Sequence, residues 1–301
     1  MNVFVTGASG YIGGSIAVAL LAHGHSVRGL VRCAEKAQAL ARLGLEPVVG
    51  GLDDAALLAR EAERCDAVLS AASSDHRPSI DTLLDALAGS GKPLLHTSGS
   101  SVIADDARGM SAAATAFDES TPLHVPPVKA ARRDLDLAVQ AAAQRGVRSV
   151  VLCNAMIYGA GHGLHTESAQ VPTLVREARR TGAARVVGAG LNRWSNVHVD
   201  DVCALYLLAL EKAPPGAFYF VENGEASFRE IGEAIAARLG LGPVEPWPIE
   251  EAAAALGAVS AHYTYGSNSR VKAVRARDEL GWAPRHRSVT HWIEHEMPLP
   301  A

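Results

Sequence analysis

The stretch that most constrains this 301-residue chain is Thr6-Gly7-Ala8-Ser9-Gly10-Tyr11-Ile12-Gly13. It follows a short apolar run, residues 2–5, suited to a buried strand, and it opens an Ala-rich helical stretch, residues 11–22. The three glycines therefore fall on a strand-to-helix turn. Gly7 permits the tight turn, Gly10 lets backbone approach a pyrophosphate with no Cβ between them, and Gly13 lets the helix pack close to the strand. The free N–H groups of the first helical turn and the positive end of its dipole then face an anion. Gly7, Ser9, Gly10, Tyr11, Ile12 and Gly13 are the expected contacts of a dinucleotide.

Strand and helix patterns alternate after this turn. Strands are expected at 26–31, 46–50, 66–71, 93–96 and 147–153, with helices at 81–90 and 127–145. This alternation demands an α/β fold, a doubly wound parallel sheet of the Rossmann type, over residues 1–153. Residues 154–301 read mostly as a smaller lobe covering the substrate, with segments near 185–212 returning to the core. Residues 104–126 carry no clear period and read as a long loop, and 154–166 as a second loop rich in glycine and histidine. Ser227 and Glu230 form a capping box for a helix that Gly240 ends.

Residue types at the strand ends suggest the ligand. The second strand ends in Arg32; a carboxylate there would favour the ribose 2′-OH of NAD(H), whereas Arg32, helped by Arg28 or Lys36, favours the 2′-phosphate of NADP(H). NADP(H) is the expected cofactor, with NAD(H) the other candidate. Leu52 and Asp53 are placed to border the adenine, and Ala71 and Ala72 to leave room for the nicotinamide. Ser98 and Ser100 offer hydroxyls at the end of the fifth strand, equally fit to cap a turn.

Bulk properties narrow the class. A formal charge of −4 gives no basis for binding nucleic acid or an acidic membrane surface, which leaves a small-molecule substrate. Four separated cysteines without a CxxC pair read as reduced, buried thiols, and no apolar run reaches membrane-spanning length. A cytoplasmic protein is expected. His162-Gly-Leu-His165-Thr-Glu167 lacks a fourth ligand on its glycine loop, so no metal is expected.

Four stretches together resemble the extended, atypical short-chain dehydrogenase/reductase family, the epimerase/dehydratase-like group. They are 6–13, 97–101, Met156-Ile-Tyr158-Gly159-Ala-Gly161 and Asn196-Val-His198-Val-Asp200-Asp201; Glu279-Leu-Gly-Trp282-Ala-Pro284 matches a closing signature. The resemblance implies a Tyr and a Lys four residues apart on one helix, with a Ser or Thr orienting the substrate oxygen. In His124-Val125-Pro-Pro-Val128-Lys129-Ala-Ala-Arg132, Lys129 pairs with Val125, and Arg132 with Val128. Both registers lack the tyrosine. The hydroxyl position falls on Gly99 or Ser100.

Lys129, Ser100 and Tyr158 are the catalytic candidates, with Lys129 also fit to hold the nicotinamide ribose; His124, His162 or water could replace the phenol. Arg193, Trp194, Ser168 and Gln170 are expected pocket walls, and 196–201 reads as a structural lock between the lobes. The reading is an NADP(H)-dependent oxidoreductase acting on a small carbonyl or hydroxyl compound by hydride transfer. A nucleotide-sugar epimerase or dehydratase, and a non-catalytic NAD(P)-binding redox sensor, are the alternatives. The resemblance also implies a homodimer paired through helices 81–90 and 127–145.

Overall fold

A computed structural model describes residues 1–299. Its strands are β1 (Asn2–Thr6), β2 (Ser26–Val31), β3 (Glu46–Val49), β4 (Ala67–Ser70), β5 (Pro93–Gly99), β6 (Arg148–Asn154), β7 (Met156–Tyr158), β8 (Arg185–Val187), β9 (Arg193–His198), β10 (Ala217–Val221), β11 (Glu225–Ser227) and β12 (Glu245–Trp247). The longer helices are α1 (Tyr11–Ala22), α2 (Ala34–Arg42), α3 (Ala55–Arg64), α4 (Arg77–Leu87), α5 (Ala130–Ala141), α6 (Gln170–Thr181), α7 (Val199–Lys212), α8 (Phe228–Leu239) and α9 (Ile249–Leu256); shorter helical segments after them include Val274–Leu280 and Val289–His295.

Seven strands form one parallel sheet in the order β10-β6-β5-β4-β1-β2-β3. Helices cover both faces, so β4 and most of β6 are buried on both sides and read as unbroken small and apolar runs. Chain order reverses between β1 and β4, where Val3 stands opposite Val27 on one side and Ala67 on the other. An open α/β sheet binds its ligands at the carboxyl ends beside such a reversal.

Buried apolar residues form two clusters. The larger surrounds the sheet and takes in α7, β10 and Trp282. The smaller gathers Tyr158, Trp194, Phe228, Trp247 and Trp292 around the three-stranded sheet β11-β9-β7 and the β12-β8 pair. Among the described residues no helix is long and apolar enough to cross a membrane.

Several local expectations change. The helix expected at 81–90 starts earlier, at Arg77, where the His76 ring caps it and Pro78 occupies the first turn. The stretch 127–145 divides into a 3-10 turn at Pro127–Lys129, α5, and a second 3-10 turn that Gly146 ends at φ +73°. β7 lies inside the expected loop 154–166, because Met156 to Tyr158 pair with Asn196 to His198 of β9, a partner forty residues on. Cys33 is exposed, unlike the other three free cysteines, because β2 has already left the core at Arg32.

The loop 104–126 is fastened rather than free. Asn268 donates to Asp105 at 2.9 Å and accepts from the Ala113 N–H at 3.0 Å, while the Glu119 carboxylate accepts from the backbone of Phe220, Val274 and Arg275. It ties β10 to the segment 268–275.

Candidate active site

The glycine turn has the shape its sequence requires. Gly7 sits at φ +75°, and a Cβ there would stand 2.6 Å from the Ala71 carbonyl oxygen; one at Gly13 would stand 2.5 Å from the Gly7 carbonyl oxygen. Gly10 caps α1 with no side chain on its N–H groups and no acid in the first turn. A Cβ on Gly10 would meet only the Gly7 carbonyl oxygen, at 3.3 Å, so this backbone is open toward a ligand. The cradle fits the pyrophosphate of a dinucleotide.

From Gly10, Tyr11 and Ile12 a cleft of about 820 Å³ runs past Ala71 and Ala72 to the end of β5, within the range of small-molecule sites. Its far walls hold Lys129, Arg132, Asn154, Ser168, Gln170, Arg176, Trp194 and Tyr265. The loop after Gly159 forms its roof over α1. The Tyr11 hydroxyl donates to the Gly159 carbonyl at 2.9 Å, the His162 N–H donates to Ser15 Oγ at 3.1 Å, and a Cβ at Gly163 would lie 2.8 Å from Gly14 Cα. Backbone meets backbone along this seam.

The chemistry-bearing side chains lie on one face of α5 and the turn before it. Lys129, Arg132 and Asp136 are spaced three and four apart, which stacks them on one side of a helix. Arg132 Nε donates to Asp75 at 2.7 Å and Nη1 to Ser101 Oγ at 2.9 Å. The guanidinium holds the Asp75 carboxyl below its ordinary range, while burial, followed by the nearby Arg132 charge, pulls the Lys129 ammonium down. One step behind, the Ser98 hydroxyl donates to the wholly buried Asp136 carboxyl at 3.0 Å.

The sequence pattern of the NAD dependent epimerase/dehydratase family matches residues 3–221. The chain belongs to that family. An uncharacterized protein of Schizosaccharomyces pombe is 31% identical over 300 residues, 95% of this chain and 96% of that one. A 4-hydroxy-2-methyl-3-oxo-4-farnesyl-3,4-dihydroquinoline-1-oxide ketoreductase of Stigmatella aurantiaca is 34% identical over 240 residues, 74% of this chain and 69% of that one. The fold superposes on dTDP-glucose 4,6-dehydratase of Bacillus anthracis in complex with NAD at a TM-score of 0.77 and 20% identity, covering 98% of this chain and 94% of that one.

Within this epimerase/dehydratase fold the catalytic candidates separate. Lys129 lies in the cleft wall. Ser100 borders it, but its hydroxyl is turned to Ser269 Oγ at 2.8 Å, as the 3-10 turn Ser100–Ile103 carries it away. Tyr158 is a correction: its ring is buried in the smaller core between His198 and Trp292, and burial drives its phenol pKa upward. His124 packs on Phe117 outside the cleft, and His162 Nε2 lies 2.6 Å from Asp200. Neither Val125 nor Val128 lines the cleft.

The remaining expected contacts fall at the adenine end or elsewhere. Arg32 is exposed at the end of β2 with no hydrogen bond or ion pair among the described residues, and Lys36 is exposed nearby. Arg28 is a correction: it is buried and paired with Glu46 and with Glu61 at 2.7 Å, so it cannot assist Arg32. Leu52 packs partly buried against the core, and the Asp53 carboxylate meets His76 at 3.2 Å. Arg193 lies outside the cleft as well, since its Nε donates to Glu225 at 2.6 Å.

The Asn196 to Asp201 stretch also changes. β9 ends at His198, whose Nδ1 accepts from the Asp200 N–H at 3.2 Å and so caps α7. His198, Asp200 and His286 offer ligand atoms within 4.8 Å of one another. The buried Asp201 carboxylate accepts from the N–H groups of Arg285 and His286, at 2.8 Å and 2.9 Å. Sequence reasoning missed Asp75, Arg132 as a tether, Asp136, Arg176 and Tyr265; the spacing from Lys129 to Arg132 to Asp136 was the available signal.

Proposed function

We propose that this protein is an NADP(H)-dependent reductase of a small carbonyl compound. One observation carries the reading: the uncapped glycine turn of α1 opens into the same cleft as Ser98, Lys129 and Arg132. Gly7, Ser9, Gly10, Tyr11, Ile12 and Gly13 hold the pyrophosphate, Leu52 and Asp53 border the adenine, and Ala71, Ala72 and Ser98 face the nicotinamide half. Arg32, exposed and unpaired where a carboxylate would select NAD(H), reads the 2′-phosphate. The bound nicotinamide supplies a hydride. Lys129 holds the ribose and keeps a positive charge beside the substrate oxygen.

The ketoreductase similarity and the missing phenol both favour reduction over sugar epimerisation. The missing phenol also favours a second reading, a cofactor-binding redox sensor that needs no proton donor. The cleft's wall of Lys129, Arg132, Arg176 and Trp194 argues for an enzyme. From the family resemblance we also propose a homodimer formed through α4 and α5.

The test is titration with NADPH and NADH, followed by turnover of a panel of aldehydes, ketones and imines. Tighter NADPH binding that Arg32→Ala abolishes, with NADPH consumed by any panel compound, supports the reductase. Equal binding of NADH overturns the arginine assignment, and tight binding without turnover leaves the sensor.

A further inference from the structure

Asp136 is the buried ionisable group that the cofactor cradle and the family's Tyr-Lys pattern leave unused. It lies on α5 beneath β5, with no exposed surface. Ser98 donates to its Oδ2 at 3.0 Å, whereas Oδ1 has no hydrogen-bond partner and stands 3.9 Å from His96 Nε2. Both ring nitrogens of His96 are unpartnered too. Charged and titratable groups face Asp136 from every side: His96 of β5, Cys153 of β6, Arg132 and Arg133 of its own helix, and Asp75 beyond Arg132.

A carboxyl buried for structure alone has its lone pairs filled by donors. This one keeps an open oxygen and touches the hydroxyl of Ser98, a residue of the cleft wall. Burial raises its pKa to about 6 against the opposing pull of Ser98, Arg133 and Arg132, and burial lowers that of His96 to about 4. The histidine is therefore neutral where the carboxyl exchanges its proton.

We propose that the Ser98 hydroxyl exchanges a proton with the substrate oxygen, and that Asp136 behind it is the positioning residue that supplies or accepts that proton. The proposal rests on the reductase reading and deepens it. In reduction the carbonyl carbon gains a hydride from a reduced nicotinamide, and the C=O π pair passes to oxygen. That oxygen takes the Ser98 proton as the Asp136 carboxyl gives its own to Ser98 Oγ, leaving a carboxylate that is reprotonated back through the Ser98 hydroxyl once the product has left the cleft. Alcohol oxidation runs the same transfers in reverse. No phenol is required, which accounts for Val125 and Val128 where the family pattern has tyrosine.

Two measurements test it. Difference infrared spectroscopy of the free protein, titrated from about pH 4 to pH 8, reads buried carboxyls directly. A protonated carboxyl band should titrate near pH 6, vanish in Asp136→Asn, and shift its midpoint upward in Ser98→Ala, which loses the donor. A band unchanged in either variant overturns the link. The second measurement is the pH profile of NADPH-dependent reduction of 9,10-phenanthrenequinone. Wild type should lose rate as pH rises above about 6; Asp136→Asn and Ser98→Ala should each lose roughly 10²-fold and flatten that limb, and Ser98→Thr should restore it. Turnover whose limb survives in Asp136→Asn overturns the relay alone. A linked, titrating carboxyl in a protein that neither binds NADPH nor consumes it overturns the reductase reading, and the relay with it.

Discussion

Arg132 joins two segments that are far apart in the chain: Nε donates to Asp75 at 2.7 Å, and Nη1 donates to Ser101 at 2.9 Å. Asp75 belongs to the loop after β4, and Ser101 to the turn after β5, so one guanidinium fixes both lips of the cleft. Arg132→Ala should cost about 1–2 kcal/mol, since Asp75 is largely solvated and loses a partner without being stranded. Faster amide exchange across residues 72–76 would confirm the tether, and unchanged protection there would refute it. Arg132→Lys should fall between, keeping the charge but losing the fork.

The glycine cradle predicts two different failures. Gly7→Ala places a Cβ 2.6 Å from the Ala71 carbonyl at a positive φ, so it should unfold the turn and lower the melting temperature as well as abolish cofactor binding. Gly10→Ala meets nothing closer than 3.3 Å and should fold with near wild-type stability while binding NADPH at least about tenfold more weakly. Circular-dichroism melting beside cofactor titration separates the two.

Arg28 and Arg32 should divide the roles that sequence alone left shared. Arg28→Ala takes from Glu61, whose side chain is 3% exposed, its hydrogen-bonded partner and leaves it only the longer contacts to Arg60 and Arg64, and should cost about 2–4 kcal/mol in urea unfolding. Arg32→Ala should leave stability within about 0.5 kcal/mol and remove the preference for NADPH. A stability loss in Arg32→Ala would show that it carries structure.

Asp136 should leave a signature in stability against pH. Its folded pKa, about 6, exceeds the ordinary unfolded value, so between about pH 4 and pH 6 the native state holds a proton that the unfolded chain has lost. Stability from this group is therefore present below the unfolded pKa and lost as pH rises, by about 3 kcal/mol. Other carboxylates act in the opposite sense, so the measurement is the difference between wild type and Asp136→Asn in urea melts. That difference should grow through this window in favour of the variant.

Asp201 should behave as a structural lock. Asp201→Ala leaves the N–H donors of Arg285 and His286 without their carboxylate acceptor and loosens the segment that carries Trp282, whose indole donates to the Asp201 carbonyl at 3.0 Å. A loss of about 2–3 kcal/mol with cofactor affinity retained is expected. Lost affinity at retained stability would move Asp201 into the binding site.

The parts of the site that were legible in the sequence are those set by local backbone. Gly7 must be glycine at its φ, and Gly13 must be glycine beneath the turn, so the cradle and the sheet behind it followed from spacing. Arg28, Tyr158 and Arg193 were misread because each is decided by a distant partner: Glu61, Trp292 and Glu225. Periodicity shows which way a residue leaves its element but not what it meets. β7 was hidden for the same reason, since three residues make a strand only beside β9. The link from Ser98 to Asp136 joins a strand end to a helix thirty-eight residues later, and only the packing of α5 on β5 brings it together.

The seam at Gly14 and Gly163 constrains how any ligand can enter. With backbone laid on backbone, and the Tyr11 and Ser15 side chains hydrogen-bonded across it, the roof is bolted to α1. That edge works as the closed spine of a book. On the opposite edge the closure is made by side chains alone at Arg132, whose guanidinium holds Asp75 and Ser101 together.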